Sequence, residues 1–334
     1  MQPTGTMDTD LLAAARGGDD RAFRALVSPH LRALHVHSYR MLGSYDEAEE
    51  AVQEALLRAW KGLATFQGRA PLLHWLYRIT TTTCLKAIEA RGRQPVIDAE
   101  IDYLQPYPDR LLDQVTNPDP AVVLTRRDSV KLAFITALQR LPATQRAVLI
   151  LRDVLTFTSA EVAELLDTTV AAVNSALQRA RTTMATADTA DQPQPLRPTE
   201  QSIVDRFVLA WQRCDIAALA ALLREDVTLH MPPEALVFTG RDTVARFFAT
   251  VPAGGRLDLI RLVSTRANGQ PALAAYLPDD TGQCRGYGIM VLRIAANQIA
   301  TITGFPSPHL FPVFGLPEIS AAPMSSTTAR DQSG

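Results

Sequence analysis

Proline placement constrains this chain more than any other feature. Proline lacks a backbone N–H and locks φ, so it is kept out of helix interiors. The 334 residues include 22 prolines, and they cluster. From residue 10 to 92 only Pro29 and Pro71 occur, whereas Pro95, Pro106, Pro108, Pro118 and Pro120 follow in quick succession. A second cluster stands in DTADQPQPLRPTE, Asp188–Glu200. This punctuation divides the chain into a helical block at 10–95, a linker at 96–124, a second helical block at 125–187 and a hinge at 188–199. A third block of different character spans 200–317, and a small-residue tail spans 318–334.

The first block carries a helical period. In DEAEEAVQEALLRAWKGL, Ala48, Val52, Ala55, Leu56, Ala59 and Trp60 form one apolar stripe, with charged residues on the other faces. Gly68 and Pro71 break that helix, and Leu72, Trp75, Leu76 and Ile79 restart the period. Trp75 lies in phase with the apolar face and reads as core before contact. The run Thr80–Thr83 is unusual there, since β-branched Thr is a mediocre helix former. Its hydroxyls serve either as contacts or as a polar face, and spacing alone does not choose.

The second block predicts a helix-turn-helix. T-S-A-E at Thr158–Glu161 is a capping box. Asp167 falls where a tight turn needs a left-handed residue, and Thr168 or Thr169 caps the next helix. Val162, Leu165 and Leu166 face Val170, Val173 and Leu177. Asn174, Ser175, Gln178, Arg179 and Arg181 remain for base edges and phosphates, although many helix pairs pack this way without DNA.

The third block opens with helices (QSIVDRFVLAWQRC, IAALAALLRE) and continues with strand-like runs separated by NGQ, DDTG and AN turns. That order predicts an α+β domain. Asp215 reads as an N-cap and Asp242 as a first-turn residue.

Charge excludes one class of function. The net charge is −2, so the chain does not coat nucleic acid as a uniformly basic protein would. The balance is uneven: residues 1–95 sum to +2, residues 96–124 to −5 and residues 125–187 to +3. Cys84, Cys214 and Cys284 are too few for a disulfide framework or a zinc module. His35 and His37, two apart on a helix, make a poor metal pair. No metal and no cofactor is expected. Without a signal-like N-terminus or an apolar run of roughly 18 residues, the expected location is the cytoplasm, with no membrane partner.

Together the helical blocks resemble the extracytoplasmic-function (ECF) sigma factors of bacterial RNA polymerase. RMLGSYDEAEEAVQEALLRAWKGLATFQGRAPLLHWLYRITTTTCLKAIEAR is similar to sigma region 2, and ALQRLPATQRAVLILRDVLTFTSAEVAELLDTTVAAVNSALQRARTTM to region 4. The third block resembles the SnoaL-like fold, a cone with a curved, mainly antiparallel sheet. ANGQPA and LFPVFGLP resemble a long actinobacterial subgroup of sigma factors carrying such a domain. The resemblance therefore implies a multidomain chain: two all-α sigma domains followed by an α+β domain.

It also implies partners and residue roles. Core RNA polymerase, through its β′ clamp and β flap, and promoter DNA are the expected partners. Asp46, Glu47, Glu49, Glu50, Gln53, Glu54 and Arg58 would meet the clamp. Phe66, Gln67, Arg69, His74, Arg78, Thr82 and Thr83 would hold the minus-ten strand. Thr158, Thr168, Thr169, Ala171, Asn174, Ser175, Gln178, Arg179 and Arg181 would read the minus-thirty-five element. Many relatives carry Asn in the segment that reads TTTTC here, and often Lys and Arg where Asn174 and Ala176 stand, which implies a divergent or narrow promoter set. The acidic stretch Asp98–Asp119 matches the segment that threads toward the active-centre cleft, where it would mimic nucleic acid.

Trp211, His230, Tyr276 and Tyr287 are the pocket candidates of the third block. No paired carboxylates stand out there, so the chain is not expected to be an enzyme. No anti-sigma partner is apparent. Exposed unless docked, LFPVFGLP suggests that the third block packs on the first and regulates it in cis. Two other readings stay open: a SnoaL-like isomerase or cyclase with fused helices, and a ligand-sensing helix-turn-helix repressor.

Overall fold

The computed structural model describes residues 4–68, 70–91, 103–112, 129–186 and 198–320. The chain forms two compact units, Met1–Pro193 and Gln194–Gly334. The two helical blocks thus share one unit.

In the first unit, α1 (Thr4–Arg16), α2 (Asp20–Val27), α3 (Leu31–Leu42), α4 (Tyr45–Gly62) and α5 (Leu72–Ala90) make up the first block. Gly43 ends α3 at φ 77, a left-handed position that favours glycine. Ser44 then caps α4, accepting from the Glu47 N–H. The stripe read from the sequence faces inward: Ala48, Val52, Ala55 and Ala59 are buried, together with Ala51. The small side chains let α4 lie close to α3 and α5. Between α3 and α5, His37 shares a 2.8 Å hydrogen bond with Thr81. Burial, and secondarily Arg40, hold the His37 pKa down at about 3.

Part of the expected linker is core. Tyr103–Leu112, which includes α6 (Asp109–Leu112), packs on the first block. Tyr107 is fully buried, and its hydroxyl bonds to His35 Nδ1 at 3.0 Å. The Gln105 side chain takes the Ser44 hydroxyl and the Asp46 N–H on its oxygen, and donates from its nitrogen to the Asp46 carboxylate. The rest of Asp98–Asp119 lies outside the described residues, as does most of the 188–199 hinge.

The second helical block contains α7 (Leu132–Gln139), α8 (Ala143–Leu149), which runs into a π-turn at Ile150–Val154, α9 (Ser159–Leu165) and α10 (Val170–Thr186).

The second unit opens with α11 (Pro198–Gln212) and α12 (Ile216–Leu222), the latter capped by Asp215 as expected. A sheet follows: β1 (Leu223–Met231), β2 (Glu234–Thr239), β3 (Arg261–Ala267), β4 (Gln270–Pro278), β5 (Cys284–Ala295) and β6 (Gln298–Phe305). Helix α13 (Arg241–Thr250) separates β2 from β3, and the short β7 (Ile319–Ser320) pairs with β5. The strand order is β2-β1-β6-β5-β4-β3, with β1 and β6 parallel and the other pairs antiparallel. The mixed, open sheet packs Leu229, Leu262, Leu273 and Ile302 against Phe207, Trp211, Phe247 and Phe248 of the helices.

LFPVFGLP is not an exposed patch. Leu310, Phe311 and Phe314 are buried, and the Phe311 ring meets Tyr276 at 5.0 Å within this unit. Gly286 makes room for it: a Cβ there would sit 2.7 Å from the Phe311 ring. The premise that this segment is exposed unless docked therefore does not hold, because Phe311 packs on Tyr276 of its own domain.

Candidate nucleic-acid and partner interface

Helix α4 presents one polar face. Glu49, Glu50, Gln53 and Glu54 are exposed because the alanine stripe turns the opposite side inward. Half-buried Asp46 is held by Gln105 at 2.7 Å, and Glu47 pairs with Arg91. A hydrogen bond from His35, 3.3 Å away, holds the Glu49 carboxyl below its ordinary range. Arg58 pairs with Glu54 at 2.7 Å. Among these stands Leu57, 58% exposed. Glu50, Gln53, Glu54 and Leu57 share one face by helical spacing. In the sequence Leu57 is an apolar residue out of phase with the stripe.

The entry to α5 is partly internal. Phe66 is buried under Trp75, with ring centroids 4.9 Å apart, and Trp75 itself is half-buried. Gln67 and Arg78 are exposed, and Arg69 lies outside the described residues. The threonines do not form a row of free hydroxyls. Thr80 and Thr81 are buried, and Thr82 bonds back to the Arg78 and Ile79 carbonyls. Thr83 is buried, donates to the Ile79 carbonyl and lies 3.4 Å from Arg58. As folded here, the Thr83 side chain is turned inward.

The helix-turn-helix forms as the residues predict. Thr158 and Glu161 make the reciprocal capping box, and Asp167 takes φ 52. Thr169 accepts from the Ala172 N–H, so it is the cap, while Thr168 is exposed beside it. Val173, Ala176, Leu177 and Ala180 face inward, leaving Ala171, Asn174, Ser175, Gln178 and Arg179 outside. Val170 was expected in the helix contact but is 45% exposed, one turn earlier than the buried face begins. Asn174 accepts from the Ser159 hydroxyl at 2.8 Å. Arg181 is committed to a two-point pair with Asp153, at 2.9 and 2.7 Å.

Buried polar side chains lock the helical blocks together. Arg146, 3% exposed, donates to the carbonyls of Met41, Gln139 and Leu141 and to Gln139 Oε1. Burial pulls its pKa down to about 10, so it stays charged at neutral pH. Gln139 donates to the Arg40 carbonyl, and Arg40 to Ser129. At the far end, His74 meets Phe157 with the rings tilted by 42° and their centroids 4.5 Å apart, and it lies 3.8 Å from Glu161. Tyr77 meets the same Phe157 edge-on at 5.8 Å. The entry of α5 and the start of the helix-turn-helix are thus in contact.

Three families match parts of the chain: Sigma-70 region 2 at residues 26–94, Sigma-70 region 4 at 131–184 and a SnoaL-like domain at 204–302. The ECF RNA polymerase sigma factor SigG of Mycobacterium tuberculosis is 39% identical over 337 residues, covering 93% of this chain and 90% of the relative. The chain belongs to the ECF sigma factors. The RNA polymerase sigma-H factor of Pseudomonas aeruginosa is 29% identical over 53% of this chain and 92% of its own length. The crystal structure of the M. tuberculosis ECF sigma factor SigJ shares the fold, with TM-score 0.60 and 23% identity over 87% of this chain and 98% of that one.

A sigma factor binds core RNA polymerase and promoter DNA to start transcription; it is not an enzyme. No helix among the described residues is long and apolar enough to cross a membrane. The SnoaL-like domain of this sigma factor holds a cavity of about 240 Å³. Trp211 and Tyr287 line it, and His230 and Tyr276 do not. His230 lies between Leu229 and Met231, which line the cavity, so strand alternation turns it to the other side. Tyr276 is buried, and its hydroxyl donates to the Pro317 carbonyl.

Proposed function

We propose that this sigma factor rests in a closed form and reads promoters only after its helical blocks separate. The observation that carries this is the tilted ring contact of His74 with Phe157, centroids 4.5 Å apart. By their positions, the minus-ten and minus-thirty-five elements are roughly 25 base pairs apart, or about 85 Å at ~3.4 Å per step. Two reading elements in ring contact cannot span that distance. Binding to core polymerase then selects the open form, because an open sigma factor alone presents both docking surfaces.

In this reading 10–95 is the region 2 domain, 125–187 the region 4 domain and 200–317 the SnoaL-like domain. The α4 face from Asp46 to Arg58, with Leu57 at its centre, takes the β′ clamp. Phe66, Gln67, Arg69, His74, Arg78 and Thr82 form the minus-ten site. Buried Phe66 supports that site from below, and opening frees the half-buried His74 from Phe157. Thr158, Thr168, Thr169, Ala171, Asn174, Ser175, Gln178, Arg179 and Arg181 form the minus-thirty-five site, and region 4 rests on the β flap. The SnoaL-like domain controls these steps in cis.

The test labels one surface position on α5 and one on α10 of the full chain and follows their separation by energy transfer. The pair should move apart when core polymerase is added, and promoter-dependent run-off transcription should follow. A chain that fails to bind core, or binds it with the label distance unchanged, refutes the reading. Co-purification of a separate protein that holds the chain inactive would refute control in cis.

A further inference from the structure

Residues 103–107 form neither helix nor strand, yet they are pinned at three points. Gln105 commits its backbone and its side-chain amide to the end of α3 and the start of α4. Its N–H donates to the Gly43 carbonyl at 3.0 Å, and its carbonyl accepts from the Tyr39 hydroxyl at 2.8 Å. Its side-chain oxygen takes the Ser44 hydroxyl at 2.8 Å and the Asp46 N–H at 3.0 Å, and its side-chain nitrogen donates to the Asp46 carboxylate at 2.7 Å. Two residues on, the Tyr107 hydroxyl bonds to His35 Nδ1 at 3.0 Å, and the other ring nitrogen of His35 lies 3.3 Å from the Glu49 carboxylate. The opposite end reaches the second helical block. Arg91 lies 3.6 Å over the Tyr103 ring, and the Tyr103 hydroxyl is 3.5 Å from Gln139 Oε1, inside the buried lock.

Asp46 and Glu49 stand three apart on α4 and so share a face, the face proposed above for the clamp. Each carboxylate thus has an internal partner that leads to the same segment. A surface that recognises two carboxylates is basic. An arginine there offers a carboxylate two parallel charged N–H donors, and a charged hydrogen bond is roughly twice as strong as a neutral one. Gln105 is neutral and holds the Asp46 carboxylate from one side-chain nitrogen, so it is the weaker competitor. Its release has a mechanical consequence. While residues 103–107 are fastened, the connection between α6 and α7 is residues 113–131; once they are free, the connection between α5 and α7 is residues 91–131. The second is more than twice as long, and the reach of a chain grows with its length.

We propose that residues 103–107 are a strap that competes with basic groups of core polymerase for Asp46 and Glu49, so that docking on α4 unfastens the connection between the helical blocks. This competition rests on α4 being the docking face; the attachment of the strap in the free chain does not.

Two variants loosen the strap from different ends. Gln105→Ala removes its grip on Asp46 and leaves α4 its cap, because Ser44 still accepts from the Glu47 N–H. Tyr103→Leu acts at Arg91 and Gln139 and changes no group bonded to Asp46 or Glu49. Each should raise the affinity of the full chain for core about tenfold, the scale of one hydrogen bond to a charged group. A segment that merely positioned Asp46 for the clamp would give the opposite sign, since its loss would lower the affinity.

The position of the strap is read in the full chain by energy transfer between labels at Lys86 on α5 and Arg110 on α6, both exposed, with Cys214→Ser removing the partly exposed native thiol. Adding core should lengthen this distance, and Gln105→Ala should shift part of the population to the longer distance without core. Core that binds with the Lys86–Arg110 distance unchanged overturns the strap, as does an unchanged or lowered core affinity in either folded variant. The α5–α10 label pair separates this outcome from failure of the closed form. If α5 and α10 part while Lys86–Arg110 stays fixed, the closed form stands and the strap fails. If Lys86–Arg110 lengthens while α5 and α10 stay together, the strap stands and the closed form fails.

Discussion

Phe157→Ala tests the closed form most directly. In the closed unit Phe157 is 5% exposed and makes two aromatic contacts across the block boundary, with His74 at 4.5 Å and Tyr77 at 5.8 Å. Aromatic pairs contribute about 0.5–1.5 kcal/mol each beyond area burial. Losing both should cost the closed form about 2 kcal/mol, which shifts the closed-to-open ratio by roughly thirtyfold. The remaining lock, Arg146 to Met41 and Gln139 to Arg40, lies elsewhere and stays intact. The assay is the α5–α10 label distance in the absence of polymerase, with the core dissociation constant measured in parallel. The open population should rise and apparent core affinity should increase, because the population that must open first is smaller. Tyr77→Leu should give about half the shift, and the double variant should show a coupling of about 0.5–1.5 kcal/mol. If Phe157→Ala folds with an unchanged distance distribution and unchanged core affinity, the rings do not hold the blocks together and the closed-form argument fails.

Four further outcomes follow from the same geometry. Leu57→Asp should leave stability unchanged but weaken core binding tenfold or more in a fluorescence titration, since an exposed leucine seated on a partner contributes about 1.5–3 kcal/mol; unchanged affinity would remove Leu57 from the interface. His37 has a folded pKa of about 3 against 6.5, so the unfolded chain binds the extra proton and stability falls as pH drops below 6.5. That loss is about 2 kcal/mol between pH 7 and 5, and denaturation of His37→Gln should show a pH slope smaller by that amount. Gly286→Ala forces a Cβ against the Phe311 ring and should cost about 1–3 kcal/mol by overpacking, read as a lowered Tm of the SnoaL-like domain. Arg179→Ala should lower the salt dependence of holoenzyme–promoter binding by about one unit of log–log slope, whereas an unchanged slope would take Arg179 off the phosphates.

Local features were legible because each has a local cause. The alanine stripe, the capping box, the left-handed Asp167 and the Asp215 cap are all decided within about one helical turn. What escaped were contacts between distant segments. Arg146 reads as one more cation in TQRAVL, yet it crosses to Met41, and nothing in its neighbours' spacing announces that. Tyr107 sits among prolines and acids, where a linker is the natural reading, but its ring is fully buried on α3. LFPVFGLP misled for the same reason: an apolar run looks unpartnered until the glycine that receives it, Gly286, is found on another strand. In the cavity, alternation along β1 separates Leu229 and Met231 from His230, but only the observed register tells which set faces in.

The charge balance now has a structural explanation. A net charge of −2 argues against a protein that grips DNA unaided. The helix-turn-helix face sharpens this, because Arg181 is held by Asp153 and Asn174 by Ser159. Each arginine drawn away from phosphate lowers the number of counterions released on binding, and with it the sequence-independent affinity. The proposed closed form works in the same direction, since one face of His74 meets the Phe157 ring and Phe66 is buried. In the proposed reading, weak intrinsic DNA affinity and a partly covered α5 entry are two separate barriers to binding promoters without polymerase. Docking α4 on core can remove the second by favouring the open form, and the polymerase's own DNA contacts can supply what the first withholds. A chain built this way reads sequence without competing for bulk DNA, which is the behaviour a specificity subunit needs.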